Sequence, residues 1–260
     1  MGFVDLHTHT SFCDGQNTPR EMVESAINLG VDTLGILTHS CVTFDPEASV
    51  DKEREQEFVE EVRNLAKEYE GKIKLLVGTE RDIYTTHVSA EYDYVIGAVH
   101  YYKSEDGYIP LDITKDRLKE LVEKHFSGDF YTFAEDYYKK VSTLPETCGA
   151  NIIAHIDLIT KFNEQGALFD TKNPRYIAAY RHAIDTLLKK DVIFEINTGA
   201  ISRGYRTSPY PDSDIYEYIS ASGGRFILSS DAHKAENIAY LFKKYENLIE
   251  GSRFFAGTDK

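Results

Sequence analysis

Seven short, nearly continuous apolar runs punctuate this chain, and longer helical patterns lie between them. The runs are 3–6 (FVDL), 33–38 (TLGILT), 73–79 (IKLLVGT), 94–99 (YVIGAV), 151–154 (NIIA), 192–196 (VIFEI) and 225–230 (RFILSS). Strict alternation would signal a sheet with one wet face. Unbroken apolar runs signal strands covered on both faces, as parallel strands are. Residues 18–29 open with Thr18-Pro19-Arg20-Glu21, a capping residue, a proline at the first helical position and an acid in the first turn. A long charged helix is expected over 51–70, with amphipathic helices over 174–190 and 235–248. The segment 111–147, rich in Phe126, Phe130, Tyr131, Phe133, Tyr137 and Tyr138, reads as an elaborated connection after the fourth strand. Strand–helix alternation of this kind implies an α/β fold with a parallel sheet, and seven units predict a barrel formed by residues 1–260 as one domain.

Composition narrows what such a barrel does. With 42% hydrophobic and 28% charged residues in 260, the chain can bury a full core. No run of 18 or more apolar residues occurs, so no membrane partner is expected. The first residues carry neither a basic region nor an apolar export segment. Cys13, Cys41 and Cys148 are an odd number without a CxxC pair, which fits reduced thiols in a cytoplasmic protein. The formal net charge of −14, with no basic run to offset it, argues against nucleic acid as a partner. A phosphorylated substrate would need local cations to overcome that field, and metal ions are the strongest candidates.

Six of the nine histidines stand at or just after a strand end: His7 and His9, His39, His100, His155 and His233. Glu80 ends the third strand, and Asp231 follows the seventh. In parallel α/β barrels that C-terminal rim is where active sites are built. His7-Thr8-His9 puts two imidazoles two residues apart, a spacing that suits one metal, and Asp231-Ala232-His233 repeats it with a carboxylate. Each remaining residue has a plainer reading when taken singly. His39, His100 and His155 could be hydrogen-bonded or buried imidazoles, Glu80 could pair with a cation, and Asp14 could serve the Cys13-Asp14-Gly15 turn. Their convergence on one rim marks them as metal ligands. His125 and His182 are expected to be structural or exposed, and His87 is the exception kept as a candidate.

His7-Thr8-His9-Thr10 with Asp14-Gly15, then Thr38-His39, Glu80, His100, His155 and Asp231-Ala232-His233, resemble the ordered motifs of the polymerase-and-histidinol-phosphatase (PHP) family. The resemblance spans residues 5–233. It implies a distorted (β/α)7 barrel with a trinuclear metal centre at the C-terminal face of the strands. It also implies a grouping of the ligands: His7, His9, Glu80 and Asp231 on one ion; Glu80 bridging to a second, completed by His100 and His155; Asp14, His39 and His233 on a third. The second motif departs from the family pattern, with Thr38 where an aspartate usually precedes the histidine. The stretches from Ala154 to Phe162 and from Glu195 to Gly199, with Arg203 and Tyr210-Pro211, resemble the histidinol-phosphate phosphatase branch. A polymerase domain has no room in 260 residues, so DNA proofreading is not expected.

The implied activity is hydrolysis of a phosphate monoester, L-histidinol phosphate in histidine biosynthesis, by a hydroxide shared by two adjacent metals, with two to three divalent ions of zinc, manganese or iron as cofactors. Lys161, Arg203 and Arg206 follow the fifth and sixth strands and are the expected phosphate-binding cations. Asp231, Glu80 and His87 are the expected catalytic groups, with Asp231, a metal-bound water or His87 as the source of the leaving-group proton. Asp45, Glu47 and Tyr101 are weaker candidates for the substrate's cationic end. Rival readings keep the metals with a phosphotyrosine peptide, sugar phosphate or nucleotide as substrate, or invoke amidohydrolase-like chemistry. The latter usually needs a carboxylated lysine at the fourth strand, which here ends in His100. A metal-binding barrel without catalysis is the non-enzyme alternative, and a full ligand set argues against it.

Overall fold

The structure, a computed structural model, describes residues 2–85 and 90–249. In chain order the elements are β1 (Phe3–Thr8), α1 (Pro19–Asn28), β2 (Val31–His39), α2 (Lys52–Glu68), β3 (Lys74–Asp82) and β4 (Tyr94–Ala98). A hairpin, β5 (Tyr101–Ser104) and β6 (Gly107–Pro110), leads to α3 (Lys115–Phe126), α4 (Phe130–Val141) and α5 (Leu144–Cys148). The chain then runs through β7 (Ile152–Ile153), α6 (Pro174–Leu187), β8 (Ile193–Asn197), α7 (Gly199–Ser202), α8 (Ser213–Ala221), β9 (Arg225–Ser229) and α9 (Phe242–Tyr245). Seven strands form one parallel sheet in the order β1-β2-β3-β4-β7-β8-β9. The ring shuts where His9 N donates to Ala232 O at 2.8 Å and Ala232 N donates to His7 O at 3.2 Å. The result is the distorted (β/α)7 barrel that the strand count foretells.

Period-two alternation sorts the strand residues into an inner and an outer layer. Leu6, Leu37, Tyr94, Ile96, Ala98, Ile152, Ala154 and Ile227 fill the barrel. Leu34, Ile36, Leu75 and Val77 face outward against α1 and α2, where Met22, Val23, Phe58 and Val62 meet them. Tyr94 is the plug. Its hydroxyl donates to Leu6 O at 2.6 Å. Gly35 and Gly78 make the room, since a Cβ at either would lie 2.2 Å from Tyr94 side-chain atoms. Helix α1 starts as its sequence dictates, with Thr18 and Glu21 closing a reciprocal capping box ahead of Pro19. Among the described residues no helix is long and apolar enough to cross a membrane.

The tail departs from the expected helix over 235–248. It divides into a 3-10 turn at Ala235–Asn237, the short α9 and a second 3-10 turn at Glu246–Ile249. Ala239 and Leu241 both take left-handed conformations, with φ of 52° and 58°. The reason is a competing partner: Ala239 N donates to the buried Asp5 carboxylate at 2.9 Å instead of to a helical carbonyl. The β5–β6 hairpin, which turns through Glu105-Asp106, and the helices α7 and α8 went unread in the sequence.

Tyr94→Ala should cost ~3–5 kcal/mol by denaturant unfolding, the range for emptying a large buried aromatic site. Tyr94→Phe, which loses only the bond to Leu6 O, should cost about 1 kcal/mol. A loss under 1 kcal/mol for the alanine variant would show that Tyr94 does not hold the barrel open.

Candidate metal centre

Most strand ends aim their side chains at the mouth of the barrel by simple parity. His155 does not, since Ala154 already faces inward and β7 stops at Ile153, so the chain turns after the strand to bring this ring in. Leu37 faces inward, so His39 does too. Gly78 places Glu80 and Asp82 inward, and Ala98 does the same for His100. Ile193 sets Glu195 and Asn197 facing inward, and Ile227 sets Ser229 and Asp231. Arg81, on the opposite parity, turns out of the barrel and donates to Cys148 O at 3.0 Å. Strand β1 would break this rule, because Leu6 already faces inward. A bulge repairs it: Asp5 pairs with Leu34 but Thr8 pairs with Ile36, three residues against two. The extra residue re-aims the strand so that His7 and His9 also reach the centre.

Glu80 occupies the middle and is 2% exposed. Its Oε2 lies 3.2 Å from His7 Nε2, 3.6 Å from His9 Nε2 and 3.2 Å from His39 Nδ1. Its Oε1 lies 3.3 Å from His100 Nε2 and 3.2 Å from His155 Nε2. Asp231 Oδ1 is 3.4 Å from His9 Nε2 and 3.7 Å from His7 Nε2. Toward solvent, Asp14 meets His233 Nε2 at 3.1 Å, His9 Nδ1 at 3.6 Å and His39 Nε2 at 3.7 Å. All nine expected ligands thus come together. Their atoms fall into overlapping groups: His7, His9 and Glu80; His39, Glu80 and His100; His9, Asp14, His39 and His233.

These spacings test whether metal fits. Two nitrogens bound tetrahedrally at ~2.05 Å stand about 3.3 Å apart. His7 Nε2 and His9 Nε2 are 3.1 Å apart, too close for two bare lone pairs unless a cation or a proton lies between them. The donor set, imidazoles with carboxylates and no thiolate, suits zinc, iron or manganese. Without metal the cluster leans on protons. Burial disfavours the charged form of His7, yet the carboxylates of Glu195, Glu80 and Asp231 outweigh it and raise its pKa well above the ordinary value. His39 and His100 are raised in the same way against burial, by Asp14 with Glu80 and by Glu80 with Asp82. His9 goes the other way, to about 3, through burial and the nearby rings of His233 and His39.

A second layer of side chains orients these groups, and the sequence reading missed it. Glu195 accepts from His7 Nδ1 at 2.7 Å, from His155 N at 3.3 Å and from Asn197 Nδ2 at 3.2 Å. Binding Nδ1–H leaves the His7 Nε2 lone pair facing the centre. Asp82 accepts from His100 N at 2.7 Å and lies 3.5 Å from His100 Nδ1. Both acids sit two residues from a group of the site on an inward parity, a signal that period-two alternation alone carries. Arg203 holds Asp231 through Oδ2 at 2.9 Å and its carbonyl at 2.8 Å, fixing a residue whose φ is 49°. Burial opposes ionisation of Asp231, but Arg203 and His7 hold its carboxyl well below the usual range.

A cavity of about 350 Å³ opens over the cluster, lined on one side by Lys161, Arg203, Tyr205 and Tyr210 and on the other by Ser40, Asp45 and Tyr101. Lys161 Nζ donates to Asp112 Oδ2 at 2.9 Å and sits 4.4 Å over the Tyr205 ring. Arg206 is a correction. It is 4% exposed and bonded to Thr160 and Asp212. It stacks 4.4 Å over Tyr210, behind the cavity rather than on its lining. Its charge is already engaged, and its role there is to back Tyr210. His87 lies outside the described residues.

The PHP domain family model matches residues 5–199 of this chain. The chain belongs to the PHP domain family. This PHP chain is 22% identical over 264 residues to the histidinol-phosphatase of Bacillus subtilis, covering 93% of this chain and 97% of that one. Its fold is shared with HisK of Listeria monocytogenes, at a TM-score of 0.80 and 20% identity over 93% of this chain and 99% of that one. It is shared also with the histidinol phosphate phosphatase of Lactococcus lactis, whose structure is complexed with zinc, L-histidinol and phosphate. There the TM-score is 0.72 at 22% identity, covering 97% of this chain and 94% of that one.

Glu195→Ala should weaken the tightest-held ion about 10–100-fold, the usual effect of removing a ligand's supporting partner, read by competition with a chromophoric chelator. An unchanged affinity would separate Glu195 from the centre. Because His7, His39 and His100 are raised, zinc must displace protons from the metal-free protein. Apparent zinc affinity should therefore rise with pH, and calorimetry in buffers of different ionisation enthalpy should register proton release at pH 7. A pH-independent affinity would contradict this charge balance.

Proposed function

We propose that this PHP chain is a metal-dependent phosphatase that hydrolyses L-histidinol phosphate to L-histidinol and phosphate. What carries the reading is the meeting of nine ligand groups with two cationic side chains around a single cavity. The relatives support it: the Bacillus subtilis protein is a histidinol-phosphatase by name, and the Lactococcus lactis structure holds zinc, L-histidinol and phosphate. Divalent ions are the cofactors, and we assign two to three of them, as zinc, manganese or iron, to His7, His9, Asp14, His39, Glu80, His100, His155, Asp231 and His233.

Such ions supply Lewis acidity toward a phosphoryl oxygen and lower the pKa of water to near neutrality. The residues do the rest. Lys161 and Arg203 stand where a phosphate over the cluster would meet them, and offer donors to its oxygens as charge redistributes in the transition state. Asp112 and Tyr205 restrain Lys161, so its ammonium is set before substrate arrives. Asp231, kept ionised by Arg203, can accept a proton or a metal but is poorly suited to donate to the departing alkoxide. His87 or solvent is left for that step.

The test is steady-state hydrolysis of L-histidinol phosphate by protein loaded with Mn²⁺ or Zn²⁺, beside a panel of other phosphomonoesters. We expect kcat/KM above ~10⁴ M⁻¹s⁻¹ for the histidinol ester, with the others far below. Chelation should abolish turnover and added metal restore it. Glu80→Gln should lower kcat at least ~100-fold, since one carboxylate serves five imidazoles. Turnover indifferent to chelator would sink the metal mechanism, and equal rates across the panel would sink the substrate assignment.

A further inference from the structure

The cavity has two chemically different walls. In the ring of seven strands, the loops after β7 and β8 each stand three strands away from the loop after β2, the largest separation such a ring allows. Lys161 and Arg203 come from the first two loops, and Asp45 comes from the third. Each cation already has a carboxylate, Asp112 on Lys161 at 2.9 Å and Asp231 on Arg203 at 2.9 Å. Asp45 is different. Among the described residues no lysine, arginine or histidine lies within ion-pair distance of it. Its contacts are neutral: the Tyr101 hydroxyl donates to Oδ2 at 2.8 Å and Ala48 N donates to Oδ1 at 3.3 Å.

Tyr101 is 8% exposed and packs edge-on against Phe44 at 4.9 Å, and Phe44 stacks on Tyr108 at 3.7 Å. The aromatic group thus fixes the hydroxyl that fixes the carboxylate. Two neutral donors leave an ionised carboxylate with lone pairs unfilled, because it offers about four acceptor sites. A charge withdrawn from water is usually matched by a cation or a metal, and Asp45 is partly withdrawn at the cavity wall. Among the described residues no cation matches it, and Lys161 and Arg203 lie on the opposite wall. A ligand with a phosphate at one end and a positive group at the other would find a matching charge on each wall.

We propose that Asp45, positioned by Tyr101, binds the ammonium group of the substrate and selects phosphate esters that carry a protonated amine. This deepens the phosphatase reading and rests on it. A purely local role is the competing account. Ala48 N on Oδ1 and Ser49 Oγ on the Asp45 carbonyl at 3.0 Å close the turn over residues 45–49. That role involves Oδ1 and the main chain, and leaves the Tyr101–Oδ2 contact at the cavity wall without a purpose.

The deciding measurement compares L-histidinol phosphate with its des-amino counterpart, 3-(imidazol-4-yl)propyl phosphate, on the metal-loaded enzyme. The quantity read is the ratio of the two kcat/KM values, because a site built to pair a polar group rejects the analogue that lacks it. The wild type should favour the amino ester at least ~10-fold, and Asp45→Asn, which can keep the turn contact to Ala48, should remove most of that preference. Tyr101→Phe should lower it by a few-fold through loss of the anchor. If Asp45→Asn slows both esters in proportion, Asp45 serves the turn alone and the proposal is wrong. Should the enzyme hydrolyse neither ester yet cleave p-nitrophenyl phosphate, the histidinol assignment fails separately. The same ratio is then taken for phosphoethanolamine against ethyl phosphate, and an equal ratio in wild type and Asp45→Asn overturns the amine site.

Discussion

Glu80 is a carboxylate sealed from water at the mouth of the barrel, with five imidazole nitrogens 3.2–3.6 Å from its two oxygens. A buried charge in that position costs several kcal/mol unless something compensates it. The imidazoles cannot all do so at once, since those that crowd together repel when protonated, as His9 does beside His39 and His233. Divalent ions resolve the conflict, because one ion satisfies several lone pairs and adds two positive charges. The mouth of the barrel is therefore built for ions it does not itself supply. Glu195, Asp82 and Arg203 make sense as supports that keep a crowded ligand set in register while the metals are absent.

That requirement reaches down into the fold. The candidate ligands come from β1 and the loop after it, β2, β3, the segments after β4 and β7, and the segment after β9. A slip in strand register would therefore turn a strand-borne ligand outward. Two features protect the register at the most exposed place, the junction of the first and last strands. The bulge in β1 lets Leu6 stay in the barrel while His7 and His9 face the centre. The bonds of His7 O and His9 N to Ala232 lock the chain ends together between two pairs of ligands. Tyr94, bonded to Leu6 O, fills the space beneath them.

The parts of this arrangement governed by short-range periodicity were readable from the sequence. Apolar runs gave the strands, strand ends gave the rim, and the histidines and acids at or just beyond that rim gave the candidate ligands that the structure brings together. The rest depends on partners distant in the chain. Arg206 stands close in sequence to Arg203, yet Asp212 and Thr160 draw it behind Tyr210. The last segment has a helical pattern, but the Asp5 carboxylate, more than 230 residues earlier, takes the Ala239 amide. Glu195 and Asp82 were within reach, since alternation places them inward. They look like ordinary acids in apolar strands until the imidazoles they hold are known.

The pairing of charges in the cavity says something about the order of events. Lys161 and Arg203 are neutralised by Asp112 and Asp231, and the cavity adds Asp14, Asp45, Glu80 and Asp82 within a chain of net charge −14. Even with His7, His39 and His100 protonated in the metal-free site, these carboxylates together with Glu195 outnumber the cations. An approaching phosphate dianion therefore meets no net positive field. Ions bound at the ligand cluster reverse that balance, because each brings two charges to a site whose central carboxylate, Glu80, is sealed from water. Metal loading thus favours substrate binding as well as chemistry. The acidic surface does not have to attract the substrate. It has to leave the bound ions as the strongest positive charge within a phosphate's reach.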